Sequence, residues 1–413
     1  MRLSEVEESI LHGDRGDGAR RAMAMVVALA EATDAPCLIE ITQAHIDGCL
    51  FHGQAGIDYV KQFADTGTAV AVPTTLNVAS LDLLHPELFR GDPDSAELSR
   101  ELMDLHVALG CSPTWTCAPY QLPTRPVLGE QIAWGESNAI VFANSVLGAR
   151  TNRYGDFIDL ACAITGRAPA VGLHTDEGRV ARIQVELSVP DGMLDDDVFY
   201  PTLGLWIGFN LSEIPIVVGL DERASEDRLK ALGAAGASSG ALAMFHALGV
   251  TPEASDGDAL PVIADIPRVG VDEADLAEVR DRVGRRVGSL GAVSLGTPHM
   301  SSVEMTALAS KVAGRRSRVP FYINTSRHVL AAASPETLDA LAEFGATVVT
   351  DTCTYITPIL GEIVGAVMTD SGKWAYYAPG NLGVDVVFGG VADCVESAAA
   401  GRIVLTDSLM GKA

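Results

Sequence analysis

Two cysteines stand where a thiol could bind a metal or act as a nucleophile. Cys117 lies in the stretch GCSPTWTCAPY at 110–120, in which Pro113 and Pro119 break a helix at both ends and so indicate a loop. Cys353 follows the predicted strand ATVVTD, and loops carried by a rigid scaffold often do chemistry. The alternatives at this point are a disulfide, a metal ligand, a nucleophile or a small buried side chain.

The residues that flank both thiols favour metal binding over packing. TWTCAPY and VTDTCTY surround each thiol with hydroxyl groups, which suit hydrogen bonds to a ligand or to a cluster sulfur. Thiolates that leave one position of an iron open would let the iron bind a substrate hydroxyl and act as a Lewis acid. Zinc is the alternative metal, but no tight C-x2-C or H-x3-H spacing supports it. Cys162 and Cys394 stand in apolar stretches with helical patterns and are predicted to pack in the core.

Other polar residues are candidates for binding a small molecule. AHIDGCLFHG (44–53) places Cys49 beside Gly48, and a glycine permits close approach of the backbone to a ligand. Asn77, at the end of VPTTLN, could donate to a carboxylate or cap the next helix. Lys373, in TDSGKWAYYAPG, could bind a carboxylate or act as a base, or it could be a turn lysine lying over aromatic rings.

The segment 129–155 contains more polar side chains than a solvated helix face explains, because they alternate with Ile, Val, Phe and Ala. These polar residues are Glu136, Ser137, Asn138, Asn144, Ser145, Arg150, Asn152 and Arg153.

The composition limits the class of protein. The chain has 413 residues, of which 48% are hydrophobic and 20% are charged, as in a globular protein. Its net charge of −25 argues against a nucleic-acid partner and means that an anionic substrate needs a local cation, for which Lys373 and Arg150 are candidates. The sequence contains no apolar run that predicts a membrane span and no secretory signal, so we expect a cytoplasmic protein. Its seven irregularly spaced cysteines fit a disulfide framework poorly.

Alternating strand and helix patterns predict an α/β fold. The first patterns are an amphipathic helix at 19–33 and buried strands at 37–42 and 68–75. Further strands are predicted at 181–190, 204–211 and 214–220, followed by a helical pair at 225–250. Strand–loop–helix units follow from 292 onward, with polar residues such as Thr297 and His299 at the strand ends, where such sheets form their sites. We expect three regions, at 1–180, 181–285 and 286–413.

Five motifs, in order along the chain, resemble the large subunit of the aconitase X family. They are TWTCAPY, AWGESNAIVFANSVLGARTNRYG, LGTPHMS, VVTDTC and TDSGKWAYYAPG. The resemblance implies an aconitase-like multi-domain arrangement with the active site at the C-terminal ends of strands. Members of the family are dehydratases that use an iron–sulfur centre or bound iron. Archaeal members dehydrate 5-phosphomevalonate, and characterised bacterial members dehydrate cis-3-hydroxy-L-proline.

The resemblance also implies which residues bind the metal. Cys117 matches the cysteine of the family's C-x-P-Y segment, and Cys353 matches that of its T-D-T-C segment. The third archaeal cysteine, in L-G-C-P-H, is replaced here by Thr297, which argues against a four-iron cluster. Cys49 stands where the archaeal pattern has an apolar residue, so we expect it to be the third ligand of a two-iron cluster or of a mononuclear iron.

The same match assigns the substrate site. The expected substrate-binding residues are Gly48, Asn77, Glu136, Ser137 and Lys373, to which we add His299 and Arg150. The expected catalytic residues are Lys373, Glu136 and Ser137, and the base is either Glu136 or a group on a partner chain.

The function implied by the resemblance is that of the large subunit of an iron-dependent hydro-lyase. The bacterial type also lacks the L-G-C-P-H cysteine, which favours cis-3-hydroxy-L-proline as substrate and 1-pyrroline-2-carboxylate as product. The alternatives are a 5-phosphomevalonate-type dehydratase, a non-catalytic iron- or ligand-binding subunit, and a zinc hydrolase. The family needs a small swivelling domain, and the sequence ends at LTDSLMGKA without one, so we expect the small aconitase X subunit as a partner.

Overall fold

The computed structural model describes residues 1–255, 266–284 and 288–406, and the chain forms two compact units. The N-terminal unit comprises Met1–Leu81 and Gly91–Val180. The C-terminal unit comprises Asp82–Arg90 and the described residues from Ala181 onward. The expected boundary between 285 and 286 lies outside the described residues, and the division into three regions stays a prediction.

The N-terminal unit combines short strands with longer helices. Its helices are α1 (Glu5–His12), α2 (Asp17–Ala32), α3 (Gln54–Ala64), α4 (Pro93–Ala108), α5 (Ser137–Phe142) and α6 (Ile158–Thr165). Its strands are β1 (Leu38–Glu40), β2 (Ala44–Ile46), β3 (Thr74–Leu76), β4 (Ala133–Trp134) and β5 (Arg167–Pro169). Strands β3, β2 and β4 form a parallel sheet in that order, and β1 pairs with β5 in antiparallel fashion. The predicted helix at 19–33 is confirmed as α2, which buries Met23, Val26 and Ala30.

The C-terminal unit contains two parallel sheets. Its strands are β6 (Ile183–Ser188), β7 (Pro215–Val218), β8 (His246–Ala247), β9 (Arg268–Asp272), β10 (Leu290–Met300), β11 (Phe321–Thr325), β12 (Ala346–Val349), β13 (Ala366–Thr369) and β14 (Val386–Phe388). The four-stranded sheet has the order β8-β7-β6-β9, and the five-stranded sheet has the order β12-β11-β10-β13-β14. Since the paired strands of both sheets run parallel, the predicted α/β fold class is confirmed.

Helices connect and cover these sheets. They are α7 (Phe199–Asn210), α8 (Glu226–Ser239), α9 (Glu273–Val283), α10 (Ser302–Val312), α11 (Arg327–Ala332), α12 (Pro335–Phe344), α13 (Gly372–Leu382) and α14 (Val391–Ala400). A hydrophobic core of the unit packs α10, α12 and α14 against the five-stranded sheet through residues such as Leu308, Leu341 and Val395. Of the described helices, none combines the length and the apolar character needed to cross a membrane.

The five-stranded sheet reverses its winding next to β10. From β10 the chain adds β11 and β12 on one side, and it then adds β13 and β14 on the other side. In open parallel sheets, ligands bind at the C-terminal ends of the two strands that flank such a reversal. Those strands are β10 and β13, so the residues near Met300 and just after Thr369 lie at the expected binding crevice.

Some predicted elements are wrong. Of residues 204–211, expected as a strand, 204–210 lie in α7, because an apolar run without clear periodicity does not distinguish a strand from a helix buried all round. Gly204 lets α7 approach α8 so closely that a Cβ atom there would lie 2.1 Å from the carbonyl oxygen of Leu232. The helical pair expected up to 250 is a single helix that ends at Ser239, and the strand expected at 68–75 is restricted to β3.

Candidate active site

The loop that carries Cys117 lies along β3 in the N-terminal unit. The backbone N–H of Ser112 donates to the carbonyl of Thr74 at 2.8 Å, and that of Thr116 donates to the carbonyl of Leu76 at 3.0 Å. The thiol-bearing residue is buried, with 1% of its surface exposed. The two prolines prevent a regular strand, but the sheet still fixes the path of the loop.

Glu136 is the centre of a buried hydrogen-bond cluster in the same unit. Its carboxylate accepts from the amide of Asn77 at 2.9 Å and from the amide of Asn138 at 2.6 Å. The hydroxyl of Ser137 donates to it at 3.3 Å. Asn138 also donates to the carbonyl of Cys117 at 2.9 Å, which ties the cysteine loop to the cluster. The structure therefore brings Asn77, Glu136 and Ser137 together, while their roles stay predictions.

Asn77 has a buried acceptor that the described part of the chain does not satisfy. Its side chain is 1% exposed, and its amide nitrogen donates to both Asp47 and Glu136. Its Oδ1 atom has no hydrogen-bond partner among the described residues. Because an unsatisfied buried acceptor costs free energy, this oxygen fits a ligand that brings a donor, such as an amine. The alternative of a helix cap is wrong, since none of the described helices begins at Asn77.

Asp159 supports this cluster from α6. Its buried carboxyl accepts hydrogen bonds from the backbone N–H groups of Asp47 and Leu160, each at 2.7 Å. Burial raises the pKa of Asp159 to about 7. Asp47 accepts in turn from Asn77, so Asp159 is connected through Asp47 to the predicted substrate residues. The only sequence signal for this pair is the aspartate in HIDGC, because Asp159 itself stands in an ordinary helical pattern.

We expect the substitution Asp159→Asn to change how stability depends on pH. The folded-state pKa of Asp159 lies above its unfolded value, so the contribution of Asp159 to the free energy of unfolding falls as pH rises from about 4 to about 7. The asparagine variant lacks this titration. Relative to the wild type it should gain roughly 2–4 kcal/mol between pH 4.5 and pH 7.5, at about 1.4 kcal/mol per pH unit. Urea unfolding at both pH values measures this, and a pH-independent difference would contradict the assignment.

Two neighbouring residues lie in surroundings that give little support to their predicted roles. A Cβ atom on Gly48 would make an ordinary contact of 3.8 Å with Asp156, so the described structure does not require a glycine there. The thiol of Cys49 donates to the carbonyl of Ile46 at 3.5 Å. Burial and the charge of Asp159 raise the pKa of this thiol well above its ordinary value, which disfavours the thiolate that binds metals.

Arg150 is engaged by other protein groups. Its guanidinium forms an ion pair with the exposed carboxylate of Asp176 and donates to the carbonyl of His174 at 3.3 Å. A substrate carboxylate would have to compete with Asp176. The predicted substrate contact of Arg150 therefore stays a prediction without structural support.

His299 and Cys353 form a candidate metal site in the C-terminal unit. A ring nitrogen of His299 and the sulfur of Cys353 lie within 4.8 Å of each other, and both residues are buried. Metal bonds of about 2.1 Å to nitrogen and about 2.3 Å to sulfur separate the two atoms by roughly 3.6 Å in a tetrahedral site, so these residues fit one ion. Nε2 of His299 lies 3.0 Å from the carbonyl oxygen of Thr352. Since a carbonyl only accepts, Nε2 carries the proton and Nδ1 is the nitrogen that can bind a metal.

The residue after Cys353 is anchored to the centre of the sheet. The backbone N–H of Thr354 donates to Asn324 at 3.0 Å, and its hydroxyl lies 2.7 Å from that of Ser294. The indole N–H of Trp374 also donates to the hydroxyl of Thr354, at 3.2 Å. Strands β10 and β11 and helix α13 therefore all hold the segment that carries the thiol.

Lys373 is buried at the start of α13, next to the C-terminal end of β13. It is 3% exposed, and its Nζ lies 5.7 Å from the centre of the Tyr355 ring. The alternative of a turn lysine is wrong in one respect, because Lys373 is the second residue of a helix, although it does lie over an aromatic ring. A carboxylate bound beside this first turn would be favoured both by the helix dipole and by the ammonium group of Lys373.

Thr297 is placed inside β10, because this strand continues through His299 to Met300 instead of ending before them. Its carbonyl accepts from the hydroxyl of Ser371, the residue that caps α13. Its own hydroxyl is buried and has no hydrogen-bond partner among the described residues. The crevice between β10 and β13 therefore presents an unsatisfied polar group as well as a buried cation.

Comparisons with known proteins agree with this architecture. The chain matches the family descriptions "Aconitase X first domain" over residues 1–177, "Aconitase X second domain" over 181–281 and "Aconitase X third domain" over 290–400. The crystal structure of Thermococcus kodakaraensis aconitase X in its holo-form superposes with a TM-score of 0.87 at 33% identity, covering 96% of this chain and 100% of that one.

Two characterised relatives are similar in sequence over nearly the whole chain. Cis-3-hydroxy-L-proline dehydratase of Pseudomonas aeruginosa is 43% identical over 97% of this chain and 70% of its own length. The phosphomevalonate dehydratase large subunit of Methanosarcina mazei is 35% identical over 97% of this chain and 98% of its own length. The fold and these matches define an aconitase-type α/β protein. The chain belongs to the aconitase X family.

Proposed function

We propose that the chain is the large subunit of an iron-dependent hydro-lyase that converts cis-3-hydroxy-L-proline to 1-pyrroline-2-carboxylate. This choice of substrate is supported by the 43% identity with cis-3-hydroxy-L-proline dehydratase, against 35% with the phosphomevalonate dehydratase large subunit. A small swivel subunit completes the enzyme. The match over 98% of a relative that is itself named a large subunit supports this arrangement.

Cys117, Cys353 and His299 are the proposed iron ligands. The closeness of the His299 nitrogen to the Cys353 sulfur supports these two, as does the proton that Thr352 fixes on Nε2. Cys117 is supported by its buried position in a loop whose path the sheet and Asn138 determine. When bound, iron supplies a Lewis acid for the departing hydroxyl group, either as a two-iron cluster or as a single ion.

The chain's own side chains bind the substrate and move its proton. Lys373, at the N-terminus of α13, binds the carboxylate. The Oδ1 atom of Asn77 accepts a hydrogen bond from the ring amine, which satisfies that buried acceptor. Glu136 takes the proton from Cα. Loss of this proton and of the hydroxide from C3 releases one water and leaves a cyclic enamine, which tautomerises to the imine product without another reagent.

The third iron ligand is decided by comparing two variants. We expect His299→Gln to lose iron, to less than about a tenth of the wild-type content, because it removes the nitrogen ligand. Cys49→Ala should retain iron, because its protonated thiol is bonded to a backbone carbonyl. His246→Gln, a change at a second buried histidine of the C-terminal unit, serves as the control for folding. Metal analysis of anaerobically purified proteins gives the answer, and loss of iron in Cys49→Ala alone would restore Cys49 as the ligand.

The substrate is tested by giving the complex each of the two candidate substrates on its own. The chain is purified anaerobically with a small aconitase X subunit, loaded with iron, and incubated separately with cis-3-hydroxy-L-proline and with 5-phosphomevalonate. We expect loss of 18 mass units from hydroxyproline only. Dehydration of 5-phosphomevalonate alone would instead support the second candidate function, which the 35% identical large subunit favours.

A further inference from the structure

Within the C-terminal unit, residues 82–90 lie against residues 350–359. We name residues 82–90 the clasp and residues 350–359 the Cys353 loop. At the far end of the loop, the backbone N–H of Arg90 donates to the carbonyl of Pro358 at 2.8 Å. The side-chain Nε of Arg90 donates to the carbonyl of Ile359 at 3.1 Å. The last residue of the clasp thus holds the end of the loop.

Asp82, the first residue of the clasp, holds the beginning of the loop. It is 3% exposed, and its two carboxylate oxygens accept from the hydroxyl and the backbone N–H of Thr350, each at 2.8 Å. The backbone N–H groups of Leu84 and His85 also donate to it, each at 2.9 Å. Because every one of these partners is a donor, both oxygens of the carboxylate must act as acceptors.

Asp351 is a residue of the Cys353 loop that is held by contacts from outside the loop. Its φ angle of 60° lies in the left-handed region, which is unfavourable for a residue with a side chain. Its carboxylate is fully buried and accepts two hydrogen bonds from Arg327, at 2.6 and 2.8 Å. The backbone N–H of Leu83 in the clasp also donates to it, at 3.1 Å. The conformation two residues before Cys353 is thus held from two sides.

We propose that Asp82 and Arg327 are positioning residues that set the Cys353 loop before a metal binds. They act through Thr350 and Asp351 on the backbone that carries the thiol. A ligand that is already ordered loses less conformational entropy on binding, so loosening the clasp weakens metal binding. The inference rests on the proposed function only in taking Cys353 as an iron ligand, because the hydrogen bonds themselves are independent of any metal.

The test compares two buried aspartates that each accept from the backbone N–H and the hydroxyl of one threonine, although Asp82 also has Nδ1 of His85 at 3.0 Å. Asp82→Asn keeps the shape but turns one acceptor into a donor that faces other donors. Asp393→Asn is the matched control, because Asp393 is also 3% exposed and accepts from the N–H and hydroxyl of Thr406 at 2.9 and 2.6 Å. In metal-free protein, mass spectrometry follows the alkylation of Cys353 by iodoacetamide. This alkylation should be at least about tenfold faster in Asp82→Asn than in the wild type, and Asp393→Asn should react at the wild-type rate.

A second readout is the iron itself. Iron-loaded Asp82→Asn should bind iron about tenfold more weakly and show an altered visible spectrum, and Asp393→Asn should match the wild type. The proposal is overturned if Asp82→Asn is alkylated at the wild-type rate, or if both variants accelerate equally. Thr350→Val, which removes only the hydroxyl hydrogen bond, replaces Asp82→Asn if that variant does not fold. If the wild-type protein bound no iron, the proposed function would be contradicted. The rate of alkylation of Cys353 would still decide whether the clasp positions the loop.

Discussion

Replacing Cys117 or Cys353 by alanine should remove the iron and its visible absorption, and lower kcat/KM by at least about a thousandfold. A bound metal stabilises the departing hydroxyl by several kcal/mol, and each 1.4 kcal/mol corresponds to about a factor of ten in rate. Both thiols are buried, each with 1% of the residue exposed, so water would not easily replace a lost sulfur ligand. Iron analysis, visible spectra and turnover of cis-3-hydroxy-L-proline by the complex with the small subunit measure the effect.

Two other buried cysteines provide matched controls. Cys162 in α6 and Cys394 in α14 are fully buried and lie in helices, as the sequence predicts for packing residues. Their alanine variants should lose some stability through the cavity that remains, but should keep their iron. Unchanged iron content in both Cys117→Ala and Cys353→Ala would refute the ligand assignment.

The substitution Lys373→Met should reduce kcat/KM for cis-3-hydroxy-L-proline by roughly ten- to a hundredfold and leave the iron content unchanged. The methionine approximately preserves the shape of the side chain and removes its charge. Losing a charge-assisted hydrogen bond to the substrate carboxylate costs about 1.5–3 kcal/mol, which corresponds to this factor. The loss should be larger if Lys373 also takes part in proton transfer. Steady-state kinetics of the iron-loaded complex provide the measurement.

A second buried lysine separates catalysis from stability. Lys230 is 4% exposed and forms ion pairs with Asp227, at 2.9 Å, and with Glu304. Lys230→Met should therefore destabilise the fold, because it leaves two carboxylates without their cation, and the folded fraction should keep its kcat. Lys373→Met should instead lower kcat/KM in the folded, iron-loaded complex, because Lys373 is the residue that we propose to bind the substrate carboxylate. Normal turnover by Lys373→Met would show that this lysine is only a structural residue.

The local parts of the fold can be predicted from the sequence. In the region after 292, buried strands are followed directly by a capping serine and an amphipathic helix. Ser301, Ser326 and Ser371 cap α10, α11 and α13 in this way. The helix α7 cannot be predicted, because its uniformly apolar sequence has no periodicity and its close approach to α8 depends on glycines that also suit turns. For α7, the packing against α8 is what distinguishes a helix from a strand.

The candidate site shows the same division between local and long-range information. Cys117 and Cys353 can be singled out because prolines and a strand end mark their loops in the sequence. The pairing of His299 with Cys353 depends on the order of the strands, and no spacing in the sequence encodes that order. The role of Asp82 is harder still to predict from the sequence, because Asp82 contacts Thr350 across a separation of 268 positions and stands in a segment without any motif.

If this chain is an iron-dependent hydro-lyase, turnover must depend on iron, and an assay with defined metals measures that dependence. The complex with the small subunit is assayed with cis-3-hydroxy-L-proline as purified, after removal of metal by a chelator, and after addition of Fe²⁺ or Zn²⁺. We predict formation of 1-pyrroline-2-carboxylate, its loss on chelation, and its recovery with iron but not with zinc. Full turnover by the metal-free complex, or recovery with zinc alone, would contradict an iron-dependent dehydration.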